Sequence, residues 1–250
     1  MLSEAQITQY HEDGFVIADY RLSDTTLFAI RQAHSRFITR FPQFNDYCPG
    51  LLPYELGFLQ FARDDIILDM VAQLIGNDIA LWNSSFFAKP ARTGTRTPWH
   101  QDGKYWHMRP LATCTVWMAI DDSTRENGCL QVIRGSHREQ RLRQHKTNDN
   151  PGLALNLELP ATEFDPSRCV DLVMEAGQIS LHDVYLVHGS QPNRSAFPRR
   201  GMTLRFMPTT SHYDRDIEAR ENAKSPDTPT PALPLFLMRG VDRSNRNDFS

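Results

Sequence analysis

The 250-residue chain has no long hydrophobic run. Its longest apolar stretches, such as Leu233 to Met238 with Pro234 inside, fall far short of the roughly 20 residues a membrane helix needs. It also lacks a basic excess, since 27 Lys+Arg against 30 Asp+Glu leave a net charge of −3. That balance argues against a nucleic-acid partner, whose binding face would be basic. Cysteine is scarce. Cys48, Cys114, Cys129 and Cys169 show no C-x-x-C spacing and are too few for a disulfide scaffold, and Cys114 and Cys129 sit in apolar runs as buried, reduced thiols. No glycine-rich phosphate loop and no internal repeat is present. The polar start, Met1 to Gln6, is not a secretory leader, so the expected location is cytoplasmic. With 40% hydrophobic and 23% charged residues the composition is that of a globular domain.

Helical signals come first along the chain. Ser3 and Gln6 form a capping-box pattern before a helix from Glu4 to Asp13, which Gly14 ends. Phe15 to Ala18 predicts a short strand. Ser23-Asp24 caps a second helix with Leu27, Ile30, Ala33, Phe37 and Ile38 on one face, and a third runs from Asp64-Asp65 to Ile75. From residue 78 the period changes to short β-prone runs: Ile79 to Lys89, Ala112 to Ile120, Cys129 to Ile133, Val170 to Met174, Gln178 to Leu181 and Met202 to Met207. Asn127-Gly128 suits a tight turn between two of them. The expectation is one mainly β domain, an antiparallel sandwich or barrel with flanking helices. Its helical part covers 1–77, its β core 78–208, and a polar covering tail 209–250.

The tripeptide H-x-D occurs three times, so alone it decides nothing. His11 and Asp13 end a predicted helix, where residues two apart do not face each other, and His212 and Asp214 lie in a polar stretch that reads as solvated. His100 and Asp102 follow a β-prone run among Trp99, Tyr105 and Trp106, and on a strand i and i+2 share a face. His188 ends the apolar, strand-like run Val184 to Val187. Two histidines and a carboxylate are the facial triad of non-haem Fe(II) oxygenases. Arg199, eleven residues on, could clamp the remote carboxylate of a dicarboxylate co-substrate, with Arg194, Arg200 and Arg205 as rivals. Near the motif, His107 reads as pocket wall or surface, His137 as a turn residue, and His182-Asp183 as a neighbour of the metal ligands or a strand-end pair.

The stretch His188-Gly189-Ser190-Gln191-Pro192-Asn193-Arg194-Ser195-Ala196-Phe197-Pro198-Arg199 resembles the distal motif of the phytanoyl-CoA dioxygenase family. Trp117 to Asp122, Glu126 to Leu130 and Gly135-Ser136-His137 are also similar to that family and stand in its order, from roughly Glu4 to Met207. The resemblance implies a double-stranded β-helix, the cupin-like jelly-roll, that uses Fe(II), 2-oxoglutarate and O2. It implies His100, Asp102 and His188 as metal ligands and Arg199 as the anchor of the 2-oxoglutarate 5-carboxylate. Ser190, Trp117 and Gln101 match positions near the co-substrate, although Trp117 also reads as core packing. Asp102 occupies the position that halogenating relatives give to a small residue, which favours hydroxylation.

The implied function is a 2-oxoglutarate-dependent hydroxylase of an unactivated C–H in a small, polar or anionic metabolite, releasing succinate and CO2. The alternative is a metal-binding jelly-roll, a sensor or binding module without turnover. Lys89, Lys104, Tyr105 and Trp106 are the candidate substrate contacts, the lysines for an anionic group. Neither a membrane nor a nucleic acid is an expected partner, and the sequence carries no reading of oligomeric state.

Overall fold

The computed structural model describes residues 1–223 and 231–250. Helices Glu4–Asp13, Asp24–Arg40 and Asp65–Ile75 start where their side-chain caps predict. Ser3 accepts from the Gln6 N–H while the Gln6 side chain accepts from the Ser3 N–H, completing the capping box. Gly14, at φ 87°, closes the first helix in the left-handed region that disfavours a side chain.

Two antiparallel sheets face each other as a jelly-roll. The larger has the order Phe15–Arg21, Gln178–Asp183, Cys114–Ala119, Gly201–Pro208, Ile79–Phe87, Phe236–Arg239, with Tyr47–Cys48 also pairing with Ile79–Phe87. The smaller has the order Cys169–Leu172, Leu130–Ile133, His188–Ser190, Thr97–His100. Side-chain alternation assigns the two faces of the larger sheet. Cys114, Val116 and Met118, like Met202, Leu204 and Phe206, pack with the helices' Leu27, Ile30, Phe37, Ile67 and Met70. The opposite face carries Thr115 and Trp117, and Thr203 and Arg205, toward the space between the sheets. A bulge opposite Arg205 and Phe206 puts Asn83 and Leu81 in successive register, so Trp82 is the extra residue and the parity of its strand reverses there.

Three expectations change. The tail is more than a cover, because Phe236–Arg239 forms the edge strand beside Ile79–Phe87, with Leu235 fully buried. The run Val184 to Val187 is the crossover between sheets: the Asp183 carboxylate accepts from the Tyr185 N–H, and the Leu186 N–H closes the turn on the Asp183 carbonyl. The strand begins only at His188. His212 is buried rather than solvated, pairing with Arg109 in a small ribbon. Asn127-Gly128 does form a turn, in which the Thr124 N–H donates to Asn127 Oδ1 and Gly128 has φ 78°. All four cysteines are free, and Cys48, Cys114 and Cys129 are buried. Among the described residues no helix is long and apolar enough to cross a membrane.

His34, on the second helix, packs on Phe86 with ring centroids 4.4 Å apart. Burial, reinforced by Arg200, pushes its imidazole down to about 4. Between that value and 6.5 the unfolded chain binds the proton and the folded chain does not. Stability is therefore complete above pH 6.5 and falls as pH drops toward 4, by on the order of 3 kcal/mol from this group. Urea midpoints of wild type and His34→Leu at pH 7.5 and 5 should show a shallower acid loss in the variant. Equal losses would remove His34 from the account.

Candidate metal centre and its cavity

His100 is the last residue of Thr97–His100 and His188 the first of His188–Ser190, and the two are paired directly across the ladder. Their rings are 4.1 Å apart between centroids. Nδ1 of His100 lies 2.8 Å from the Pro98 carbonyl, and Nδ1 of His188 lies 2.9 Å from the Leu186 carbonyl. A carbonyl only accepts, so each Nδ1 carries the proton and each Nε2 presents a lone pair. Those two Nε2 atoms are 3.5 and 3.7 Å from Asp102 Oδ1. The ligand atoms of the three residues all lie within 4.8 Å of one another, and all three side chains are buried.

The aspartate arrives differently from the strand expectation. The strand ends at His100, and Asp102 opens a short 3-10 turn. Tyr105 donates its N–H back to the Asp102 carbonyl to close that turn. Burial alone would raise the Asp102 carboxyl, but His188, His100, His182 and Arg205 outweigh it and hold it well below the usual carboxylate range. Burial and then His100 press His188 well below the ordinary histidine value. The donor set is two imidazole nitrogens and a carboxylate, and Nε2 of His100 is a buried atom with no hydrogen-bond partner. An unpaired buried lone pair is costly in a closed protein. Facing Nε2 of His188 and an anionic oxygen, it fits a divalent metal of the borderline class.

His182, on Gln178–Asp183, reaches the other side of the same carboxylate, its Nε2 being 3.7 Å from Asp102 Oδ2. Its ring is 5.0 Å from that of His188, and both its nitrogens are buried without partners. Alternation points to it, because Ile179 and Leu181 face the helices and residues 180 and 182 must face inward.

Arg199 lies across the narrow inner cavity that begins at the triad. It is 2% exposed, and Nε and Nη2 donate to the Gly128 carbonyl at 3.2 and 2.8 Å while Nη1 donates to Phe87 at 3.1 Å. Its guanidinium carbon stands 5.5 Å from the Trp117 ring centre. Among the described residues no carboxylate pairs with it. Trp117 and Ser190 line this cavity too. Gly201 makes room for the tryptophan, since a Cβ there would stand 2.3 Å from the indole ring.

The remaining expected contacts divide. Tyr105 and Trp106 line an outer cavity of about 470 Å³ that continues from the inner one through Phe87, Asp102 and Arg205. The tail walls it with Tyr213, Glu218 and Leu233, and His107 also lines it. Gln101 does not reach either cavity. As the residue between two inward-facing ligands it points away, donating to the Arg141 and Tyr185 carbonyls and accepting from the Arg143 N–H. Its backbone N–H donates to Nε2 of His145, so it anchors the ligand turn from behind. Lys104 is solvent-exposed on that turn and lines neither cavity. Lys89 is buried behind Arg199, bonded to the Thr95 carbonyl, and burial followed by Arg199 pushes it down to about 6. His137 is a buried residue of the 3-10 turn Ser136–Glu139, its Nε2 against the His11 carbonyl.

Gly128 holds Arg199 through its carbonyl, and a Cβ on it would stand 2.2 Å from the Gln191 carbonyl oxygen. Gly128→Ala should therefore lose about 2 kcal/mol or more of stability. A urea midpoint measures this, and an unchanged midpoint would show that the turn relaxes freely.

The profile of the phytanoyl-CoA dioxygenase (PhyH) family matches residues 2–201. The chain belongs to the phytanoyl-CoA dioxygenase family. Over 152 residues it is 34% identical to the phytanoyl-CoA dioxygenase domain-containing protein 1 homolog of Dictyostelium discoideum, covering 60% of this chain and 54% of that one. It is 30% identical over 153 residues to the peroxisomal phytanoyl-CoA dioxygenase of Homo sapiens, covering 59% and 45%. The aligned part thus spans about half the length of these family members. The fold matches the non-heme monooxygenase ThoJ in its apo form at TM-score 0.74 and 23% identity, covering 96% and 86%. It also matches the epimerase SnoN, solved with Fe3+, alpha ketoglutarate and nogalamycin RO, at TM-score 0.69 and 20% identity, covering 93% and 97%. Beside the expected site residues, Arg205 and His182 line the inner cavity and Trp82 the outer one, and Trp82 carries no signal in the sequence motifs.

Proposed function

We propose that this family member is an Fe(II)- and 2-oxoglutarate-dependent dioxygenase that hydroxylates an unactivated C–H of a small, polar or anionic metabolite, forming succinate and CO2. The observation that carries the reading is the convergence of two imidazole lone pairs and the Asp102 carboxylate beside Arg199, a buried cation without a counter-ion. In this reading His100, Asp102 and His188 hold the metal. Bound iron, with 2-oxoglutarate and O2, supplies the oxidising chemistry. The backbone carbonyls of Pro98 and Leu186 fix the ring orientation and tautomer of the two histidines, so the lone pairs need no reorganisation on binding. Arg199, already aimed by the Gly128 and Phe87 carbonyls, takes the remote carboxylate of 2-oxoglutarate, and Trp117 backs its guanidinium. Tyr105 and Trp106, with Tyr213 and Leu233 of the tail, wall the outer cavity, where the substrate sits.

Asp102 fills the third ligand position, which supports hydroxylation over halide transfer. Turnover under 18O2 tests this reading. One labelled atom should enter succinate and the other the product, whereas label in neither would contradict it.

A further inference from the structure

Arg205 is the group in the cavity that the proposed chemistry leaves unused. It is 4% exposed, yet its side chain makes no hydrogen bond or ion pair with any described residue, and its Nε is buried without a partner. Arg199, by contrast, has three bonds to carbonyls. A guanidinium carries five N–H donors, and burying it without an anion leaves a large desolvation cost unmet. Its position is fixed rather than loose. Gly201–Pro208 holds it in the middle of the larger sheet, and the Trp106 ring lies 5.1 Å from its guanidinium carbon.

Placement gives the vacant cation a ligand. Arg205 lines both the inner cavity at the triad and the 470 Å³ outer cavity, so it stands where the two meet. The nearby carboxylate, Asp102, feels the charge of Arg205 but makes its close contacts to the three imidazoles. Glu218, further out, is held by the Tyr213 hydroxyl at 3.1 Å and by Arg215 at 2.9 Å. With a divalent metal and doubly charged 2-oxoglutarate cancelling each other, Asp102, Arg199 and Arg205 leave the inner cavity with one positive charge in excess. Trp82, whose buried Nε1 has no partner, and Trp106 and Tyr213 give the adjoining wall a flat aromatic character.

We propose that Arg205 is a specificity-determining residue that binds an anionic oxyacid group of the substrate, a carboxylate or a phosphonate-type oxyanion, with the aromatic wall taking the body attached to it. The inference rests on the proposed function for the word substrate, but the anion site itself is testable without turnover.

The probes are benzoate and phenylphosphonate, with benzamide as the uncharged comparison, titrated into protein loaded with Ni(II) and 2-oxoglutarate and into metal-free protein. Wild type should bind at least one anion about 10-fold more tightly than benzamide. Arg205→Gln should erase that preference and Arg205→Lys should keep part of it. The affinity for 2-oxoglutarate, read separately, should stay within about 2-fold of wild type in both variants, because Arg199 is untouched. Which anion is preferred separates a carboxylate site from a phosphonate site. No saturable anion binding, or equal binding of benzoate, phenylphosphonate and benzamide, overturns the proposal. A loss of 2-oxoglutarate affinity in Arg205→Gln with the probe preference intact also overturns it, by assigning Arg205 to the co-substrate. If wild type binds no 2-oxoglutarate but metal-free protein still prefers the anion, the proposed function fails and the anion site stands.

Discussion

Asp102→Ala should lose metal affinity by more than about 100-fold, since even removing a group behind a ligand costs 10- to 100-fold, and 2-oxoglutarate-dependent turnover should vanish with it. Asp102 is the one anion at the triad, and three imidazoles share its two oxygens. Without it His100 and His188 present two neutral nitrogens, a donor pair that does not neutralise a divalent ion. Asp102→Asn separates charge from shape, because it keeps the volume and one acceptor oxygen but removes the charge, and it should fall between alanine and wild type. Iron or nickel titration against a competing chelator measures the affinity, with circular dichroism showing that the fold persists. Wild-type affinity in Asp102→Ala would remove the aspartate from the site.

Arg199→Ala should raise the KM for 2-oxoglutarate about 100-fold, equivalent to about 2.7 kcal/mol, while metal affinity stays near wild type. The separation follows from geometry, as Arg199 is held by Gly128 and Phe87 and makes no contact with the triad's donor atoms. Arg199→Lys restores charge without the planar fork and should recover only part of the loss. A KM within a few-fold of wild type in Arg199→Ala would show that another group holds the co-substrate. Because Arg199 also satisfies two buried carbonyls, the alanine variant should be less stable, so KM is read well below its melting temperature.

The parts of this molecule that local chemistry decides were legible in the sequence. Ser3 with Gln6, Ser23, and Asp64 mark helix starts because a side chain within three residues satisfies the first free N–H groups. The β-prone runs from residue 79 fall on strands within a few residues of their ends. The triad was legible as spacing and as family resemblance, but its route was not. His100 and Asp102 converge because the strand breaks into a turn after His100, and that turn depends on Gln101 being fixed by residues 141–145 and Tyr185, far away in sequence.

Lys89 and Lys104 stand near the motif in sequence and Gln101 matches a family position, but neither proximity along the chain nor a matched position tells which way a side chain points. Arg205, a rival for the role of Arg199, and His182, a neighbour of the ligands or a strand-end residue, are placed facing inward by alternation on Gly201–Pro208 and Gln178–Asp183. What alternation does not contain is that Arg205 stays without a counter-ion, a property of the whole cavity.

The most direct test of the central claim is anaerobic addition of Fe(II) and then 2-oxoglutarate to the purified protein, followed by visible absorption. The site described here predicts a metal-to-ligand charge-transfer band that saturates at one iron per chain, is absent in Asp102→Ala, and needs more 2-oxoglutarate in Arg199→Ala. Iron that binds without producing the band would contradict the co-substrate site and leave a metal-binding jelly-roll in its place.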